Sequence, residues 1–132
     1  METNDPNSRM VGGDHYHTGD LKTQHWDMVD DHNIGYLEAN ASKYLMRYRH
    51  KNGLQDLEKA QHYSEKILHN HFHKDRMPRC SIPTLVLDQI LVEHDIHGVQ
   101  RRALEDLLSW RTAGDLSHVI NDIEILKKEF LA

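Results

Sequence analysis

The strongest constraint on the fold lies between Tyr36 and His73, where apolar residues recur every three or four positions on either side of an Asn52-Gly53 pair. Leu37, Ala41, Leu45 and Tyr48 form one stripe, and Leu57, Ala60, Tyr63, Ile67 and Leu68 form the next. That period belongs to a helix and not to a strand, whose side chains alternate. Asn-Gly is a strong helix stop. The spacing therefore predicts one helix over 36–51 and a second over 54–73, running back along the first through a tight turn.

The rest of the chain reads in the same terms. Residues 1–13 are polar, end in Val11-Gly12-Gly13, and are expected to form a flexible lead. A short helix is expected over 24–31, followed by a turn at His32-Asn33-Ile34-Gly35. Pro78 and Pro83 make 77–83 a linker between a unit at 14–76 and a unit at 84–132. Helices are expected over 84–93 and 99–111, and Asp115 is placed to cap a last helix reaching Phe130. No stretch alternates like a strand, so the fold class is all-α, a helical bundle of two hairpins.

Shifted against itself by sixty-two residues, the chain pairs His32-Asn33-Ile34 with His94-Asp95-Ile96, Ala41 with Ala103, Leu45 with Leu107, Tyr48 with Trp110 and Leu54 with Leu116. A common apolar rhythm explains such matches in any two helical hairpins. The alternative is a duplication whose second copy kept its core and lost its chemistry. Asn40, Lys43, Tyr44, Arg47 and Lys51 meet Arg102, Glu105, Asp106, Ser109 and Ala113.

Composition narrows the partners. At 132 residues the chain supports one domain with a real core. A net charge of −5 argues against nonspecific nucleic-acid binding. The single cysteine, Cys80, excludes an internal disulfide and a cysteine-based zinc site. No apolar run approaches a membrane span and the N-terminus has no signal-peptide core, so a soluble intracellular protein is expected.

The chemistry concentrates on one helix face. Asn40, Lys43, Tyr44, Arg47 and Lys51 share it by spacing, beside the apolar stripe. An amide, a phenol, two ammonium groups and a guanidinium suit an anion with a ring attached, such as a nucleotide. Arginine offers phosphate a planar fork and lysine a mobile charge. Asp56, Lys59 and Tyr63 form a matching ladder on the returning helix. Asp56 fits three roles: a structural ion pair, orientation of a phosphate-binding side chain, or Mg2+ held through water.

Asp14-His15-Tyr16-His17 looks metal-like, and the chain has twelve histidines. Glu-x-x-Glu or Glu-x-x-His pairs on the central helices are missing, so no metal site is expected. His15 and Tyr16 instead suit a lid over a ligand. His69, His71 and His73 read as a solvated run at a helix end. Neither standard glycine-rich phosphate loop nor a nucleophile elbow is present, leaving phosphate recognition to side chains and helix ends.

Taken together, His15-Tyr16, Gln24-His25-Trp26, the run Leu37 to Tyr48, Lys51-Asn52-Gly53, Asp56-Leu57, Lys59-Ala60 and Tyr63 resemble the SaV-like phage proteins. This is a family catalogued largely as a domain of unknown function, and it includes the nucleotide kinase of coliphage T-seven. The resemblance spans about 14–69 and does not reach 78–132. The family usually has glycine where this chain has Ala39. The resemblance implies a phage protein of the host cell cytoplasm that binds a nucleotide, a deoxynucleoside monophosphate kinase without a P-loop or a descendant of one. Lys43, Arg47 and Asp56 would then be catalytic, with His15, Tyr16, Asn40, Tyr44, Lys51, Lys59 and Tyr63 binding substrate. A homo-oligomer is expected from Trp26, Tyr36, Tyr48, Trp110 and Phe130 and from the resemblance. The rival is a non-enzymatic phage factor that sequesters a nucleotide or binds a host protein. A helical pyrophosphatase is a further rival, with Glu38, Asp56 and Glu58 a poor carboxylate set for it.

Overall fold

A computed structural model of the chain describes residues 22–132, and these contain six α-helices and no strand. They are α1 (His25–Asp31), α2 (Tyr36–Arg47), α3 (Leu54–Lys74), α4 (Thr84–Glu93), α5 (Gly98–Leu108) and α6 (Ala113–Leu131). The flexible lead expected over 1–13, and the lid expected at His15 and Tyr16, lie outside the described residues.

α2 and α3 form the first hairpin, with Ala41, Leu45, Leu57, Ala60 and Ile67 buried between them and the second half. The turn between them is longer than the sequence suggests. α2 stops at Arg47, four residues before the expected end, and Tyr48 is turned into the core at 2% exposure. Gly53 then closes the turn, its N–H donating to Tyr48 O at 3.0 Å. Its φ of +53° and ψ of −120° suit glycine, and a Cβ there would lie 2.5 Å from Phe130 Cζ. Residues 75–83 strap back across the start of α2: Gly35 N–H donates to Arg79 O at 2.6 Å, and Ser81 N–H to His32 O at 2.9 Å.

α5 and α6 form the second hairpin. α5 ends at Leu108, not Arg111, because Trp110 leaves the helix to bury its ring at 1% exposure. The cap of α6 also differs from expectation. Thr112 is the N-cap, and Asp115 completes a capping box from the third helical position, its carboxylate accepting from the Thr112 N–H.

The sixty-two-residue offset reappears in the backbone. α1 and α4 end sixty-two residues apart, and α2 and α5 begin sixty-two residues apart. Asn33 and Asp95 both take left-handed backbone, at φ +53° and +56°. Ile34 N–H donates to Val29 O, and Ile96 N–H to Leu91 O, at 3.2 and 2.9 Å. Met28 and Ile90, Ala41 and Ala103, Leu45 and Leu107, Tyr48 and Trp110, and Leu57 and Val119 are all buried. The hairpins pack through α2 on α5 and α3 on α6. Of the five aromatic groups expected to demand an oligomer, Tyr48 and Trp110 are thus covered within the chain, while Trp26, Tyr36 and Phe130 stay exposed.

Candidate functional site

α2 is held from behind by a buried carboxylate. Glu38 accepts both terminal nitrogens of Arg76 at 2.7 Å and Trp110 Nε1–H at 3.0 Å. Burial pushes its carboxyl up, but the bonds from Arg76 and Trp110 and the arginine's charge outweigh that and leave it below the ordinary value. Arg76 follows α3 and Trp110 follows α5, so one side chain fixes the roll of α2 against both hairpins.

The opposite side of α2 carries the polar residues. Lys43 Nζ lies 4.7 Å from the centre of the Tyr44 ring, Arg47 Cζ 4.8 Å, and Lys59 Nζ, reaching over from α3, 5.2 Å. Three cations converging on one phenol ring gain from its quadrupole. Tyr44 stacks on Tyr63 at 6.0 Å between centroids and 18° between planes. Tyr36 meets Tyr63 edge-on at 6.3 Å and is 71% exposed. The Tyr63 hydroxyl is pushed above its ordinary value, first by its hydrogen bond with Tyr36 and then by burial.

Arg47 is committed. Its Nε and Nη2 donate to the two Asp56 oxygens at 3.2 and 3.3 Å, and Asp56 also accepts from Asn52 N–H at 3.2 Å. The Asp56 side chain is wholly buried, which raises its carboxyl, but the bonds from Arg47 and Asn52 bring it below its ordinary value. Of the three roles weighed for Asp56, this geometry is that of an ion pair that orients Arg47. The carboxylate does not fit as a magnesium ligand, since both oxygens are occupied and none faces solvent.

Lys43 and Lys59 have no carboxylate partner among the described residues. With Arg47 balanced by Asp56, the cluster keeps two positive charges in a chain whose net charge is −5. Asn40 adjoins it, its Nδ2–H donating to Tyr36 O at 2.9 Å and its carbonyl left as an acceptor. On the other flank, Asn40 and Lys43 border an open depression of about 370 Å³, walled by His25, Trp26, Val29 and Asp30 of α1. His25 is held neutral there: burial, then the charge of Lys43, lower its pKa to about 4 against a small backbone contribution from Ala39. The Ser42 hydroxyl is donated to Ala39 O at 3.0 Å, so the His25 Nε2–H donates to Ser42 Oγ at 2.8 Å.

The structure thus brings together Asn40, Lys43, Tyr44, Arg47, Asp56, Lys59 and Tyr63. Lys51 is not with them by helical register, because α2 ends before it and it sits exposed in the turn. Tyr36 is the member that sequence reasoning placed elsewhere, among large apolar groups awaiting an oligomer. Its position one turn before Asn40 and two before Tyr44 was the available signal. The second hairpin has no such face. At the places of Asn40 and Ala60 it has Arg102 and Asp122, joined by two hydrogen bonds of 3.2 and 2.7 Å.

No curated protein and no solved structure matches the chain significantly. A family model does, across α1, α2 and half of α3, with every residue of the cluster inside the matched span. Residues 10–65 match the model of the DUF3310 family, described as a protein of unknown function.

Proposed function

We propose that the outer face of α2 and α3 binds a nucleotide, with phosphate at Lys43 and Lys59 and the sugar or base against Tyr36, Tyr63 and Asn40. The observation that carries this reading is the pair of ammonium groups that bracket Tyr44 with no carboxylate partner among the described residues. Structural lysines seek carboxylates or bulk water, whereas these two converge on an aromatic platform with a surplus of two positive charges. Arg47, aligned by Asp56, adds a guanidinium at 34% exposure. The depression beside Asn40 and Lys43 gives the base a second surface to lie on.

The resemblance to SaV-like proteins extends the proposal to a P-loop-less deoxynucleoside monophosphate kinase, or a descendant, in a phage-infected host cytoplasm. In that reaction a monophosphate oxygen attacks the terminal phosphorus of a donor triphosphate, and the donor leaves as a diphosphate. Positioning and charge neutralisation are the protein's main tasks in such chemistry, and the cluster supplies charge. A magnesium requirement belongs to the kinase reading and is tested by chelation in the assay.

One observation favours the non-enzymatic rival. The site's buried carboxylate, Asp56, is wholly engaged and offers neither a metal ligand nor a base. A sequestering protein needs neither.

Calorimetry with deoxynucleoside monophosphates tests the site. Removing Lys43 or Lys59 by alanine forfeits a charge-assisted contact of about 1.5–3 kcal/mol and weakens affinity roughly ten- to a hundredfold. Arg47→Lys keeps the charge, loses the fork on Asp56, and also weakens binding. Arg111→Ala, on an exposed residue of the second hairpin, leaves affinity unchanged. Equal affinity across all these variants refutes the site. Transfer of labelled phosphate from a donor triphosphate separates kinase from sequestering protein.

A further inference from the structure

The two hairpins do more than share a pattern; their contacts with each other are reciprocal. From the first hairpin, Glu38 reaches across to Trp110 Nε1 at 3.0 Å. Sixty-two residues after Glu38 stands Gln100, and it reaches back the other way. Its Nε2–H donates to Leu45 O at 2.8 Å, and its Oε1 accepts from Arg49 Nε–H at 3.0 Å. Position 38 of one hairpin thus meets the end of the second helix in the other, in both directions. The rings follow the relation to within one helical turn. Tyr48 packs edge-on against Phe130 of α6 at 6.2 Å, and its counterpart Trp110 packs edge-on against His71 of α3 at 5.2 Å, three residues from Leu68, the counterpart of Phe130. The pairs α2 with α5 and α3 with α6 are likewise those that a two-fold axis between the hairpins requires.

Contacts of the form i to j′ and j to i′ are the signature of an isologous interface, in which one surface recognises a copy of itself. We infer that the inner surface of the α2–α3 hairpin is a self-pairing surface, whose fitting partner is a second hairpin of the same kind. In this chain α4–α6 occupy that place by covalent attachment. The division of labour follows. Both copies keep the pairing residues, Glu38 or Gln100 and Tyr48 or Trp110, while only the first keeps the outer cationic face. Arg102 and Asp122 close the corresponding surface on the second copy. The two members differ in charge: Glu38 has Arg76 beside it, whereas its counterpart Gln100 is neutral.

A chain with its second half replaced by its first tests this. Residues 84–132 correspond in register to 22–70, so the chimaera has 84–132 exchanged for a copy of 22–70. The copy carries Glu38→Gln and Tyr48→Trp, which restore the identities found at Gln100 and Trp110 and avoid an unpaired buried carboxylate. The expected product is monomeric by light scattering, helical by circular dichroism, and melts cooperatively within about 15 °C of the natural chain. A second variant guards against local misfit. It is a circular permutant of the full chain in which 84–132 precedes 1–83, joined by a repeat of the 75–83 linker, and two-fold pairing makes hairpin order irrelevant to folding. A cooperative melt of the chimaera supports self-pairing. If the chimaera alone fails, a cooperatively folded permutant still sustains the two-fold relation, and a permutant that is unfolded as well overturns it.

Discussion

Arg76→Ala is the perturbation with the most legible consequence. Arg76 and Glu38 are nearly or fully buried, at 6% and 0% side-chain exposure, with two bonds of 2.7 Å between them. Removing one partner of a buried pair leaves an uncompensated charge and costs about 3–5 kcal/mol. For a chain between the small and large size classes, each kcal/mol moves the melting midpoint by about 3–5 °C, so a fall of roughly 10–25 °C is expected. The pH dependence follows from the direction of the carboxyl's shift. In the natural chain Glu38 is lowered from 4.5, so its stabilising contribution is present above that value and lost as the pH falls through the folded value. Without Arg76, burial dominates and the carboxyl moves up, so the penalty is full at pH 7 and relaxes on acidification. The gap between variant and natural chain should therefore narrow toward pH 4. Glu38→Leu with Arg76→Leu should recover part of the loss, because no charge is stranded although the Trp110 Nε1–H loses its acceptor. Calorimetric melts of the three chains at pH 4, 5.5 and 7 decide it. A single variant that melts like Arg111→Ala at every pH refutes the idea that this bond fixes α2.

Three further outcomes are expected. Asp56→Asn should lower stability at neutral pH and not in strong acid, since the Asp56 carboxyl is held below 3.8 and its contribution disappears as the pH falls through the folded value; urea melts across pH 2–7 measure this. The His25 ring, with a pKa of about 4 against 6.5 unfolded, should show no titration between pH 5.5 and 8 by nuclear magnetic resonance, and stability should decline from about pH 6.5 toward 4 as the unfolded state takes the proton first. Self-association, if it buries the exposed Leu85 and Val92 of α4, should give a homo-oligomer by light scattering that Leu85→Lys with Val92→Lys dissociates, and a natural chain that scatters as a monomer at micromolar concentration refutes it.

The legible parts of this fold are those encoded locally. Helical period, the Asn52-Gly53 stop and the proline linker bound α1 to α6 to within a few residues, and the spacing of Asn40, Lys43, Tyr44 and Arg47 puts them on one face before any tertiary contact is known. What escaped sequence reasoning depends on the partner hairpin. Nothing within Tyr36–Lys51 says that the helix should end at Arg47. It ends there because Tyr48 is drawn into the interface against Phe130 and because Asp56 takes the Asn52 N–H. In the same way α5 ends early because Trp110 has Glu38 to reach. Asp56 could be read three ways until the turn brought both its oxygens onto Arg47 and the Asn52 amide.

The pairing therefore bears on the site as well as on the fold. Glu38 sits on the inner side of α2 and Tyr44 on the outer side, less than two turns apart. The Trp110 bond that locks Glu38 to the second hairpin also sets the direction in which Lys43, Tyr44 and Arg47 face. A helix fixed from behind by a fully paired buried carboxylate loses little further backbone freedom on meeting a ligand, which favours useful affinity from a few charged contacts. On the proposed nucleotide-binding role, the second hairpin, with no cationic face of its own, would serve binding by holding the first in place.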